Sequence, residues 1–332
     1  MKTLALRIVM SLCAVLLALT ACSQKEQKTF KISLIAKSST NPVFLSARTG
    51  AEDAAREFSA KLGVKIEIDW RTPAQEDGQL QAQYIAQAVN QGAGAVLISC
   101  SDAAKVTGAI NDAAAKGVPV MTFDSDAPDS QRFACYGVDD IKTGRRVMQE
   151  LAAQMKDQGA VAILAGNQNA PNLQRRVQGV RQEAEKHPGI RIIGTFYHKE
   201  TPQDATREVQ NQMNAHPEIG GWAMVGGWPL FAPALVNDLD PNKVKIVAVD
   251  ALPEQLIYVE KGIAPVLLAQ PTYKWGHESV RIIADKLILK KDVPVINEME
   301  LVPVTQQTLG AWARQLRDWK FERVDEKYLK LP

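Results

Sequence analysis

The sequence predicts an α/β protein built from two doubly wound parallel-sheet lobes. Two observations carry this. Short apolar runs alternate with amphipathic helical stretches along almost the whole chain, and the runs are continuously apolar, as strands covered by helices on both faces are. The cycle breaks after residue 138 and starts again near residue 160, so there are two blocks. A length of 332 residues accommodates two ordinary domains.

The elements follow in order. Lys31–Ala36 reads as the first strand, and Asn41-Pro42 opens a helix to about Leu62, with Asn as N-cap and Pro at its first turn. Lys65–Trp70 is a strand. A helix from about Glu76 to Gln91 places Tyr84, Ile85, Ala88 and Val89 on one face. Ala95–Ser99 is a strand, Asp102–Lys116 a helix, and Pro119–Asp124 and Phe133–Val138 are strands. The second block runs through strand Ala160–Ala165, helix Pro171–Lys186, strand Arg191–Tyr197, helix Gln203–His216 and strand Trp222–Val225. Helix Pro229–Asp238, strand Lys245–Asp250, helix Pro253–Lys261, strand Pro265–Gln270 and a long helix Tyr273–Leu289 complete it. Val295–Val304 reads as one more strand that could cross back between lobes. In the tail, Leu309, Trp312, Leu316 and Trp319 fall at helical spacing, which predicts a helix packed on its own lobe.

The first residues read as a targeting segment rather than as fold. Lys2 and Arg7 precede an apolar stretch, Ile8–Leu19, that ends in Leu19-Thr20-Ala21-Cys22. That pattern resembles a bacterial lipobox, with Cys22 as the acylated residue and Ser23–Lys28 as a polar tether. The expected division is a signal peptide over 1–21 and a lipidated Cys with its tether over 22–29. No later stretch is apolar enough to span a bilayer. In the body, Cys100 and Cys135 are assigned to strands two apart, ~10 Å from each other, beyond disulfide reach, so both are expected as buried free thiols. The formal net charge of +2 gives no footprint for nucleic acid.

Ligands of open α/β sheets sit beyond the carboxyl ends of the strands. The residues there are Asn41 and Phe44, Asp124 and Asp126, Asn167 and Asn169, Gly227 and Trp228, Asp250, and Gln270. Amides and carboxylates among aromatics suit a polyol: the planar groups pair with hydroxyls and an aromatic face covers the C–H side of a sugar ring. Each also has a structural explanation. Asn41, Asp124 and Asp250 can cap turns, Arg176 can form a surface ion pair, and Trp228 can be packing.

The body from Phe30 to about Val304 resembles the type I periplasmic sugar-binding proteins, ribose-binding members above all. The resemblance rests on Thr40-Asn41-Pro42-Val43-Phe44, Phe123-Asp124-Ser125-Asp126, Arg175-Arg176-Val177-Gln178-Gly179, Val249-Asp250-Ala251 and Ala269-Gln270-Pro271. It implies three interlobe crossovers, near Tyr136, Gln270 and Asn297, and hinge closure on the ligand. The lobes would be 30–134 plus 271–297, and 135–270 plus 298–332 with the helical tail. The resemblance implies sugar contacts at Asn41, Phe44, Asp124, Arg176, Asp250 and Gln270. Departures from the family are Ser125, where ribose binders carry Arg; Gly227, where they carry Asn; and Val43, in place of an aromatic.

The resulting expectation is an exported, membrane-anchored monomer that binds a sugar or polyol for the membrane subunits of an ABC importer, with no cofactor or metal. A ligand-sensing lipoprotein that signals to a receptor kinase or chemoreceptor would use the same lobes, as would a binder of a non-sugar ligand such as an autoinducer. An enzyme is disfavoured: His187, His198, His216 and His277 show no metal-ligand spacing, and Gly92-Ala93-Gly94 precedes a strand instead of following one.

Overall fold

A computed structural model describes residues 28–332. The signal segment and Cys22 lie outside the described residues. The chain forms two six-stranded sheets. The N-terminal lobe holds β1 (Thr29–Ile35), β2 (Lys65–Trp70), β3 (Ala95–Ile98), β4 (Val120–Phe123), β5 (Ala134–Gly137) and β11 (Ile296–Glu298), in the order β11-β5-β4-β3-β1-β2. The C-terminal lobe holds β6 (Gly159–Ala165), β7 (Ile190–Tyr197), β8 (Ile219–Met224), β9 (Lys245–Val249), β10 (Val266–Ala269) and β12 (Val302–Val304), in the order β12-β10-β9-β8-β6-β7. The two orders are the same pattern, and the ladders are parallel except for β10 with β12.

The chain crosses between lobes at residues 138–139, 270–271 and 299–301, because β5 and β11 pair in the first sheet while β10 and β12 pair in the second. This moves 135–137 and Glu298 into the N-terminal lobe, against the expected boundaries. Cys135 pairs with Thr122 and with Ile296 across the ladder, so the first crossing comes after Gly137. The single strand expected over Val295–Val304 is two, one in each sheet.

Helices α1 (Pro42–Leu62), α2 (Gly78–Asn90), α3 (Ala103–Ala115) and α9 (Thr272–Ile283) cover the first sheet. Helices α4 (Asp140–Gln154), α5 (Pro171–Ala184), α6 (Pro202–Ala215), α7 (Ala234–Asp238), α8 (Leu256–Glu260), α10 (Leu309–Asp318) and α11 (Glu326–Leu329) belong to the second. Side chains cap many of the starts, as Asn41, Asp77, Asp102, Asp139, Thr201 and Asp325 do. Helix α4 was not expected from the sequence. The expected helix over Pro229–Asp238 is a 3-10 turn, Trp228–Phe231, followed by α7. The long helix expected to Leu289 ends at Ile283 and continues as a wider turn, Ala284–Ile288.

Glycine sets one helix contact that matters for the site. A Cβ at Gly144 of α4 would lie 1.9 Å from the Arg176 carbonyl oxygen of α5, and one at Gly179 would lie 2.1 Å from the Ile141 carbonyl oxygen. The two backbones touch at these points, and the contact positions Arg176. Cys100 and Cys135 are free and buried. Among the described residues no helix is long and apolar enough to cross a membrane.

Candidate functional site

The carboxyl ends of both sheets converge on one buried polar cluster. Asp124 follows β4 and Asp250 follows β9, the same place in the two matching sheet orders. Both have left-handed backbones, with φ of 56° and 79°. Asp tolerates this region better than most residues, but at a cost. The turn aims each carboxylate across the strand ends, and both residues are buried.

Arg176 organises the C-terminal half. Its Nε donates to Asp140 Oδ1 at 2.9 Å, Nη1 to the Val225 carbonyl at 3.0 Å, and Nη2 to Gln270 Oε1 at 3.0 Å. Gln270 Nε2 in turn donates to Asp250 Oδ1 at 2.9 Å. Arg176 is 2% exposed, so it is the centre of a buried network and not a surface ion pair. Burial pushes the Asp140 carboxyl up to about 7, more strongly than Arg176 pulls it down. Burial likewise raises Asp250, with Gln270 and Arg176 opposing.

The N-terminal half is built around Asp124. It accepts from Ser99 Oγ at 2.7 Å and, across the interlobe gap, from Asn172 Nδ2 at 3.2 Å. Lys37 Nζ donates to Asn172 Oδ1 at 3.1 Å and stands 3.9 Å from Asp124. Burial opposes the charged ammonium of Lys37, yet Asp124, Glu200 and Glu76 together outweigh it and raise its pKa. Lys37 thus brings to Asp124 a cation that Ser125, the next residue along, does not supply. Further along the gap, Asn167 of the C-terminal lobe joins an acid from each lobe. Its Nδ2 donates to Glu76 Oε2 at 3.0 Å and its backbone N–H to Glu200 Oε1 at 3.1 Å. The two carboxyls thus share Asn167 as a common donor residue. Burial, then the charge of Glu200, pushes Glu76 up to about 8.

The structure therefore brings together Asp124, Arg176, Asp250 and Gln270 of the expected residues. Asn41 is half-buried, and its side chain caps α1 by accepting from the Val43 N–H at 3.2 Å. Three of the expected residues have protein partners of their own. Phe44 is 3% exposed and packs in the lobe core, stacked on Trp275 at 6.0 Å and edge-on to Phe123 at 6.5 Å, so its ring faces protein. Trp228 packs edge-on to His198 at 5.0 Å and lies over Gly226. The Asp126 carboxylate is filled by Arg132, which donates twice at 2.5 and 2.6 Å, by Thr122 Oγ1 at 2.6 Å and by the Ala127 N–H at 2.8 Å. Three of these bonds fall on Oδ1 and one on Oδ2, so Arg132 and the local chain already hold this carboxylate in place.

Lys37, Asn172, Asp140, Glu76 and Glu200 were not singled out from the sequence. The strand-end rule would have found Lys37, since it follows the apolar run Ile32–Ala36 directly. Asp140 was hidden because its helix was not read.

A cluster of this kind, buried at the facing carboxyl ends of two sheets and tied by three chain crossings, defines a two-lobed solute-binding protein. Residues 32–291 match the family model described as "Periplasmic binding protein domain". The chain belongs to this family, in its type I, sugar-binding branch. It is 27% identical over 215 residues to the ribose import binding protein of Bacillus subtilis, covering 61% of this chain and 68% of that one. The ribose import binding protein of Escherichia coli K12 is 24% identical over 284 residues, covering 83% and 90%. Among solved structures, a solute-binding protein of Burkholderia graminis in complex with D-arabinose superposes with a TM-score of 0.79 at 24% identity, covering 86% of this chain and 98% of that one. One from Actinobacillus succinogenes with bound D-allose gives 0.74 at 22%, covering 84% and 98%.

Proposed function

We propose that this protein captures a sugar or similar polyol between its lobes by hinge closure and delivers it to the membrane subunits of an ABC importer. One observation carries the reading: Asp124 and Asp250, at matching places in the two lobes, converge with Arg176 and Gln270 in one buried polar cluster. Paired hydroxyls of a sugar satisfy such groups in both directions, carboxylates accepting and guanidinium and amides donating. Asn41, Lys37 and Asn172 extend the set. The ligands of the similar proteins, ribose, D-arabinose and D-allose, belong to this class.

In this reading the ligand replaces the direct bond between Asn172 and Asp124, and closure follows because only the closed form satisfies both lobes. A thermal-shift screen with D-ribose, D-arabinose, D-allose, other polyols and amino sugars tests it. A sugar at a hundred times its Kd adds about 2.7 kcal/mol of stability. A flat response across the panel at millimolar concentration would sink the proposal. Small-angle scattering with the hit should show a smaller radius of gyration than without it.

Export and anchoring belong to the same proposal. Cys22 is taken as the acylated first residue of the mature, monomeric protein. Cys22→Ala should release it from membranes and abolish metabolic lipid labelling; a variant that stays labelled and membrane-bound removes this part.

A further inference from the structure

The C-terminal segment lies beyond the matched family domain, which ends at residue 291. It is rooted in the C-terminal lobe: Leu309, Trp312 and Leu316 are buried in that core. Trp312 Nε1 donates to the Ala251 carbonyl at 2.7 Å, next to the site residue Asp250.

The end of α10 reaches the other lobe. Trp319 stacks on Tyr273 of α9, with ring centroids 5.7 Å apart and planes 5° from parallel. Lys320 Nζ donates to both Asp53 oxygens of α1, at 2.7 and 2.6 Å. Tyr273 Oη donates to the same carboxylate at 2.9 Å, so the ring and the acid form one preassembled seat. Phe321 packs against the cores of both lobes.

The backbone adds an independent sign. Lys320 has φ of 63°, the left-handed helix-ending conformation that glycine adopts without cost. The Phe321 N–H closes back to the Leu316 carbonyl at 3.0 Å. A lysine holds a glycine's place here, and its ammonium is the group that grips the opposite lobe. Strain kept at a residue that makes such a contact points to function.

We infer that the C-terminal segment is an interlobe strap, in which Trp319 and Lys320 dock on the Asp53–Tyr273 seat of the N-terminal lobe and set the balance between open and closed forms before any ligand arrives. Hinge opening carries α1 and α9 away from α10, so the stack and the ion pair are made in the closed form and lost in the open one. This inference does not depend on the ligand's identity.

The test uses the ligand-free full chain, with one nitroxide at an exposed position on each lobe and the interlobe distance distribution read by pulsed electron resonance. Trp319→Ala and Lys320→Gly should each shift the ratio of open to closed forms toward open, by roughly 2- to 12-fold for the stack and less for the exposed ion pair. Lys320→Gly separates this role from simple packing: it should leave the melting temperature at or above that of the parent, because glycine relieves the backbone, while the lobes open. Asp53→Asn should open the lobes as Lys320→Gly does, and the double variant should open them no further than either alone. Unchanged distance distributions in both Trp319→Ala and Lys320→Gly would overturn the strap, as would full additivity of Asp53→Asn and Lys320→Gly. Either result would make the tail a passive cover.

Discussion

The two lobes share one topology and place an aspartate at the same point of each, yet the two halves of the site are finished differently. In the C-terminal half, Asp140, Arg176, Gln270 and Asp250 form a chain closed within one lobe and its crossing strand. In the N-terminal half, Asp124 and Lys37 are satisfied by Asn172, which comes from the opposite lobe. When the hinge opens, the first half keeps its partners; in the second, Asp124 keeps Ser99 and Lys37, and both Asp124 and Lys37 lose Asn172. In the proposed function the C-terminal lobe acts as the preorganised receptor, and the N-terminal lobe completes its half by closing.

The sharpest way to break this contrast is Arg176→Ala. It strands Asp140 and Asp250 in the interior without their cation, and removing one partner of a buried ion pair costs about 3–5 kcal/mol. Denaturant unfolding should show that loss, beyond any effect on binding. A surface ion pair would cost at most ~1 kcal/mol. Stability within that smaller figure would show that the network does not hold its lobe.

Asp124→Ala and Asp250→Ala come next. Hydrogen bonds to charged groups are worth roughly 1.5–3 kcal/mol, so calorimetry with the sugar found by screening should show affinity roughly 10- to 100-fold weaker in each. The lobes differ in what accompanies that loss. Asp250→Ala leaves the Gln270 amide without an acceptor inside one lobe and should also lower stability. Asp124→Ala should act mainly on closure. Glycine in either position should be more stable than alanine by about 1–2 kcal/mol, because both sites are left-handed. Asp126→Asn should weaken stability through Arg132 and leave affinity within about twofold, since a gap under 0.5 kcal/mol is small on the binding scale. A tenfold loss of affinity there would return Asp126 to the site.

The smallest effect concerns pH. Glu76 and Glu200 meet from opposite lobes, with Asn167 of the C-terminal lobe and Lys37 of the N-terminal lobe facing them. Glu76 rises from an ordinary 4.5 to about 8 in the closed form, so the closed form binds this proton more tightly than the open one. Its contribution to closure is full below about 4.5 and is lost as pH rises through about 8. The ligand-free interlobe distance should lengthen between pH 6 and pH 9, as the closed form gives up this proton. Glu76→Gln should flatten that curve. An equally steep curve in the variant would assign the pH response elsewhere.

What the sequence determined by itself was the architecture and the place of the buried polar cluster. Apolar runs of strand length between amphipathic helices dictate two parallel-sheet lobes, and the strand-end rule points to Asp124, Asp250 and Gln270 because chain direction alone decides which end of a strand faces the cleft. What it left open has one cause. Phe44, Trp228 and Asp126 sit at the right ends of the right strands, but a linear pattern does not say whether Trp275, Gly226 or Arg132 already occupies them. Asp140 stayed hidden because the polar opening of its helix, Asp139-Asp140-Ile141-Lys142, carries little apolar period. Lys37 and Asn172, 135 residues apart, pair only once the lobes meet. The tertiary structure alone decided which charges are buried together, since burial and partner depend on packing from the far side of the gap, and local sequence carries no record of that.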